Sequence, residues 1–126
     1  MNKKIISTAN APAAIGPYSQ AVLAGDTLYC SGQIALDAVS GELIVGDIIA
    51  ETNQVLQNVG AVLAEAGMDF ANVVKCSIFM SSMEHYAAIN EVYATYFTEN
   101  PPAREAVAVK TLPKEVNVEI TVTAVR

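Results

Sequence analysis

Only two stretches of this chain repeat their apolar residues at the period of a helix, and that scarcity limits what it can build. Ile48, Val55, Leu56, Val59, Val62, Leu63 and Ala66 share one stripe, opened by Asp47 as an N-cap and stopped by Gly67. Met83, Tyr86, Ile89, Asn90, Val92, Tyr93, Tyr96 and Phe97 line a second helix, with Ser81 and Glu84 as a capping box and Pro101-Pro102 as its block. The other apolar runs read as strands: Lys3–Ser7, Tyr18–Ala24, Thr27–Ile34, Val73–Met80, Arg104–Lys110 and Val116–Val125. Gly16-Pro17 and Gly25-Asp26 supply turns, and Leu112-Pro113-Lys114-Glu115 predicts a hairpin-like connection between the last two strands. The expected order is β-β-β-α-β-α-β-β, an α+β fold whose two helices cover only one side of a six-stranded sheet. With 126 residues, 52% of them apolar, the chain suits one domain spanning residues 1–126, and a homo-oligomer is the expected cover for the open side.

The last strand carries the clearest chemical signal. Val116, Val118, Ile120, Val122 and Ala124 alternate with Asn117, Glu119, Thr121 and Thr123, so one face is apolar and the other holds a carboxylate in mid-strand. Glutamate is disfavoured in strands and is seldom buried without a partner. In the preceding strand Val107 and Val109 form the apolar set. If both sets enter one core, Arg104, Ala106 and Ala108 share the opposite face with Glu119, roughly 7 to 13 Å apart along the sheet depending on register. A gap of that order holds a small molecule. A planar guanidinium grips a carboxylate through two parallel hydrogen bonds, which lysine cannot copy, so Arg104 is suited to orient a small 2-keto or 2-imino acid.

Other chemistries lack their residues. Thirteen acidic against seven basic side chains give a net charge of -6, with no cationic field for nucleic acid. The sequence contains no nucleotide-binding glycine loop, zinc-protease helix or serine-hydrolase elbow, and His85 is its only histidine. Cys30 and Cys76 are far apart within strand-like runs, as buried reduced thiols would be, so no metal site is expected. Lys3 and Lys4 are followed by only two apolar residues, too few for the core of a secretory signal, and no run is long enough to span a bilayer. A cytoplasmic protein with no membrane partner is expected. Gly16-Pro17-Tyr18-Ser19-Gln20 presents Tyr18 at a strand end, and Gly32 in Ser31-Gly32-Gln33 lets a ligand approach the backbone closely.

Taken in order, Gly16-Pro17-Tyr18-Ser19-Gln20, Ser31-Gly32-Gln33-Ile34, Ile89-Asn90-Glu91-Val92-Tyr93, Pro102-Ala103-Arg104 and Leu112-Pro113-Lys114 with Val118-Glu119-Ile120 resemble the RidA/YjgF family of imine deaminases over nearly the whole chain. The resemblance implies a chorismate-mutase-like fold, a homotrimer with clefts between subunits, and hydrolysis of 2-iminopropanoate and 2-iminobutanoate. These imines derive from the enamines 2-aminoacrylate and 2-aminocrotonate. By that resemblance Arg104 clamps the substrate carboxylate and Glu119 positions and activates the attacking water. Tyr18, Ser31 and Asn90 match cleft positions, the backbone around Ala106 helps to place water or substrate, and no metal or organic cofactor is required.

The chain departs from the family pattern at Arg104-Glu105-Ala106, where Arg-Ser-Cys is usual, and at Glu119-Ile120-Thr121, which keeps only the first acid of Glu-Ile-Glu. Those changes motivate an alternative, a noncatalytic trimeric module binding small carboxylates or protein partners. Ribonuclease activity, sometimes attached to the family, fits the acidic charge and lone histidine least.

Overall fold

The computed structural model describes residues 2–126. Strands β1 (Lys3–Ile6), β2 (Ala21–Ala24) and β3 (Thr27–Cys30) are followed by helix α1 (Ile48–Glu65), strand β4 (Val73–Met80), helix α2 (Tyr86–Tyr96), and strands β5 (Ala103–Ala108) and β6 (Val118–Val125). They form one six-stranded sheet in the order β1-β2-β3-β6-β4-β5. Every neighbouring pair is antiparallel except β4 and β5.

Both helices form where their apolar stripes predict. Asp47 caps α1 by accepting the Ile49 N–H at 3.0 Å. At the other end Gly67 takes φ +73°, and Met68 N–H and Gly67 N–H return to Leu63 and Ala64 carbonyls at 2.9 and 3.0 Å, closing a Schellman motif. The stripe residues Val55, Leu56, Val59, Val62 and Leu63 are buried against Leu28, Ile78, Ile120 and Val122 of the sheet. Each such side chain contributes about 1.5–3 kcal/mol of transfer free energy. Ser82 rather than Ser81 caps the turn leading into α2, accepting from Glu84 N–H, while Ser81 bonds Asn117. Cys30 and Cys76 are buried and unpaired, and burial pushes the Cys30 thiol up to about 12, so it stays protonated.

Two expectations are corrected. β5 and β6 are not a hairpin, because β4 lies between them and pairs with both. Helix α2 supplies the length a parallel β4–α2–β5 crossover needs and covers it at the same time. The pairing in turn reverses the predicted face of β5. Arg104, Ala106 and Ala108 lie opposite Cys76, Ile78 and Met80, which are buried beneath the helices, whereas Glu119 lies opposite Phe79 and faces away from them. Arg104 and Glu119 therefore stand on opposite faces of the sheet. Val107, read from sequence as core, is 42% exposed on the helix-free face, along with Tyr29 at 56%. That face carries apolar side chains too, so apolarity alone does not tell the two sides apart.

Three buried polar side chains tie loops to this frame. Glu51 of α1 is 1% exposed and accepts from Asn117 N–H, Val118 N–H and the Asn117 amide at 2.8–3.2 Å, anchoring the start of β6. Asn58, about two turns further along the same face of α1, donates to the Ile34 and Leu36 carbonyls. Gln20 donates to the carbonyls of Thr8, Ala11 and Pro12 and accepts from Thr8 N–H, gathering the loop before β2. Together they hold the segments that enclose the cleft described next.

Candidate functional site

A cleft of about 490 Å³ opens where the loops before β2 and after β3 meet β6, with Tyr18, Ser31, Gly32, Pro113, Lys114 and Glu119 in its wall. Ser31 is fixed by donating its hydroxyl to the Ser19 carbonyl at 2.6 Å and its N–H to Gln20 at 2.9 Å. Two residues on, Gln33 exchanges backbone hydrogen bonds with Ile120 at 2.9 and 3.1 Å. Gly32 sits between these anchors with the Glu119 carboxylate lying across it. A Cβ added to Gly32 would stand 2.7 Å from Glu119 Oε2 and 3.0 Å from Thr121 Oγ1, so any side chain there displaces the carboxylate. This close approach, rather than an unusual φ, explains the glycine.

Glu119 is chemically unspent. Its carboxylate has no hydrogen bond to any of the described residues, and partial burial holds its pKa above the ordinary 4.5. A half-desolvated carboxylate with free lone pairs facing a cleft is suited to take a proton.

Arg104 builds a second, separate cluster on the helix side of the sheet edge. Its Nη1 donates to Asn90 Oδ1 at 2.8 Å and its Nη2 to the Tyr86 hydroxyl at 2.9 Å. The guanidinium carbon lies 4.8 Å from the Tyr93 ring centroid and 5.7 Å from that of Tyr86. Residues 86, 90 and 93 recur at helical spacing on α2, so successive turns of one helix face hold the cation. Two of the five guanidinium N–H donors are used, and three remain for a ligand. Ala106, two residues further along β5, packs against the core.

Glu105 points the other way, bonded to Lys75 and Ser77 on the helix-free face, and the Lys75 contact first and Ser77 next hold its pKa below the usual carboxylate range. Its charge is thus neutralised locally and directed away from Arg104.

The predicted residues fall into two half-sites. Tyr18, Ser31, Gly32 and Glu119 share the cleft, whereas Arg104, Asn90 and Ala106 lie across the sheet from it. Sequence reasoning missed Tyr86 and Tyr93 as partners of Arg104, and Lys114, held at φ +55°, as part of the cleft wall. The signal for the tyrosines was their shared stripe with Asn90, which reads equally well as core. Among the described residues no cluster of three or more His, Cys, Asp or Glu side chains is placed to hold a metal ion, and no helix is long and apolar enough to cross a membrane.

Comparison with known proteins places this geometry in context. The family described as Endoribonuclease L-PSP matches residues 8–126. A protein of Capra hircus named 2-iminobutanoate/2-iminopropanoate deaminase is 49% identical, over 98% of this chain and 90% of that protein. The Homo sapiens protein of the same name is 47% identical over the same shares. Among solved structures, Escherichia coli TdcF with bound serine superposes with a TM-score of 0.94 at 40% identity, covering 98% of each chain.

Proposed function

This chain belongs to the Endoribonuclease L-PSP family, that of the YjgF and Rid proteins, and we propose from that membership that it hydrolyses 2-iminopropanoate and 2-iminobutanoate to the 2-oxo acid and ammonia. The enzyme is a deaminase of the class to which its near-full-length relatives are assigned by name. One observation carries the mechanism: an arginine with three free N–H donors and an unpartnered, half-buried glutamate lie on opposite faces of one sheet. No single copy can bring them to one substrate. A neighbouring copy that covers the helix-free face can, and the exposed Tyr29 and Val107 on that face support such packing. Three copies in a ring, as the resemblance implies, give each cleft Glu119 from one subunit and Arg104 from the next.

In the assembled cleft Arg104 holds the substrate carboxylate bidentately and fixes C2 within reach of water at Glu119. Glu119 takes a proton from that water as its oxygen bonds to C2 and the C=N π pair moves to nitrogen, and Glu119 then returns the proton to that nitrogen, giving a carbinolamine. The carbinolamine hydroxyl proton passes through Glu119 to the amino nitrogen, and the C–N bond breaks with its electron pair on nitrogen, so that ammonia leaves as the C2 carbonyl forms. An imine is already electrophilic, so orientation and one proton acceptor supply most of what the step needs. Tyr18, Ser31 and the Gly32 backbone line the path to C2, Asn90 holds the clamp, and the backbone at Ala106 borders it. The serine bound in the Escherichia coli relative supports a small ligand that carries a carboxylate.

The family's descriptive name refers to RNA cleavage, but a net charge of -6 and a single histidine supply neither a phosphate-binding field nor paired imidazoles. The direct test couples purified protein to a serine or threonine dehydratase under conditions where free imine hydrolyses slowly, and follows 2-oxo acid and ammonia. Faster release than in the protein-free control is expected. Binding of 2-oxobutanoate without any acceleration would instead mark a noncatalytic carboxylate-binding module.

A further inference from the structure

The two tyrosines beneath Arg104 hold it in different ways. Tyr93 turns its ring face to the guanidinium at 4.8 Å, and its hydroxyl is buried without a hydrogen-bond partner among the described residues. Tyr86 offers its oxygen, 2.9 Å from Nη2, while its ring stands further off at 5.7 Å. Asn90, one turn along α2, takes Nη1 from the same side. A guanidinium resting on a ring can still rotate in the ring's plane. One held at both terminal nitrogens cannot, and its remaining donors then point away from α2 in a fixed direction. Asn90 alone pins one end, so the hydroxyl of Tyr86 removes the last rotation.

We infer that Tyr86 is a positioning residue for the deaminase reaction: its hydroxyl fixes the rotation of the Arg104 guanidinium and so sets how tightly the substrate carboxylate is held. This rests on the reading of Arg104 as the carboxylate clamp. The bond has no counterpart if position 86 carries phenylalanine, which keeps the ring and loses only the acceptor. Tyr86 is 37% exposed, so that exchange leaves the core untouched.

The test compares wild type, Tyr86→Phe, Arg104→Lys and the double variant, measuring kcat, KM and the Kd of the product 2-oxobutanoate. Loss of one hydrogen bond to a charged group at a partly exposed site is expected to raise KM and Kd by about 5- to 10-fold, with kcat changed less than about 2-fold because the chemistry at Glu119 is untouched. In the Arg104→Lys background the same exchange should change Kd by less than about 2-fold, since there is no fork left to orient. Two results overturn the inference while leaving the clamp in place: Arg104→Lys is crippled but Tyr86→Phe binds product normally, or Tyr86→Phe lowers kcat alone, as a structural defect would. A fully active Arg104→Lys overturns the clamp itself and the inference with it.

Discussion

Arg104→Lys is expected to lower kcat/KM for 2-iminopropanoate on the order of 100-fold while leaving the melting temperature within a few degrees of wild type. The size follows from what is lost. A bidentate guanidinium–carboxylate pair comprises two charge-assisted hydrogen bonds, each contributing about 1.5–3 kcal/mol, and an ammonium recovers part of one. Lysine is also shorter and lacks the plane that stacks on Tyr93 and reaches Asn90 and Tyr86 together. Stability should change little because Arg104 is part-exposed at an edge strand, and the methylene stem of lysine still covers the buried Tyr93 ring on which the guanidinium stacks. Steady-state kinetics with a thermal melt checks both halves. Retained activity, or loss of activity through unfolding, would each remove Arg104 from its role.

Glu119→Gln should cost more, about 10²- to 10⁴-fold in kcat, the range a positioned general base contributes. The amide keeps the shape over Gly32 and gives up the proton acceptor, so binding of 2-oxobutanoate should survive. The pH dependence has a definite sign. Burial raises the Glu119 pKa above 4.5, and in the substrate complex the bound carboxylate offsets the neighbouring guanidinium, so the acid limb of kcat should lie above 4.5. Stability follows the same shift: a folded-state pKa above the unfolded value means stability falls as pH rises through that window, because the folded protein must then bury the charge. At neutral pH the glutamine variant should therefore melt at the same temperature as wild type or slightly higher. A wild-type limb below 4.5, or a glutamine variant with near-normal kcat, would show that another group takes the proton.

Element order and helix limits were legible because they depend on local periodicity and caps, such as Asp47 and Gly67, which act within a turn or two. The proposed site residues were legible for a different reason, since Glu119 is a residue type that strands disfavour, Gly32 marks a close approach to the backbone, and Arg104 carries a fork that matches a carboxylate. What could not be read was the partner of β5. Alternation says that Arg104 and Val107 lie on opposite sides, but only pairing with β4 decides which side meets the helices. Val107 favoured the wrong choice, because an exposed face that carries apolar side chains looks like a core in sequence. The burial of Glu51 depends in the same way on distant residues, because only three donors at the start of β6 make a buried charge on α1 tolerable.

The proposed division of the site between copies is best tested by subunit mixing. Arg104→Lys and Glu119→Gln proteins, each nearly inactive, are unfolded together in equal amounts and refolded, with native mass spectrometry to verify mixed assemblies. In a ring of three, each mixed assembly regains one cleft with both native groups, and total activity should return to about a quarter of wild type. Mixed assemblies that form and remain as inactive as their parents would contradict a cleft shared between neighbouring chains.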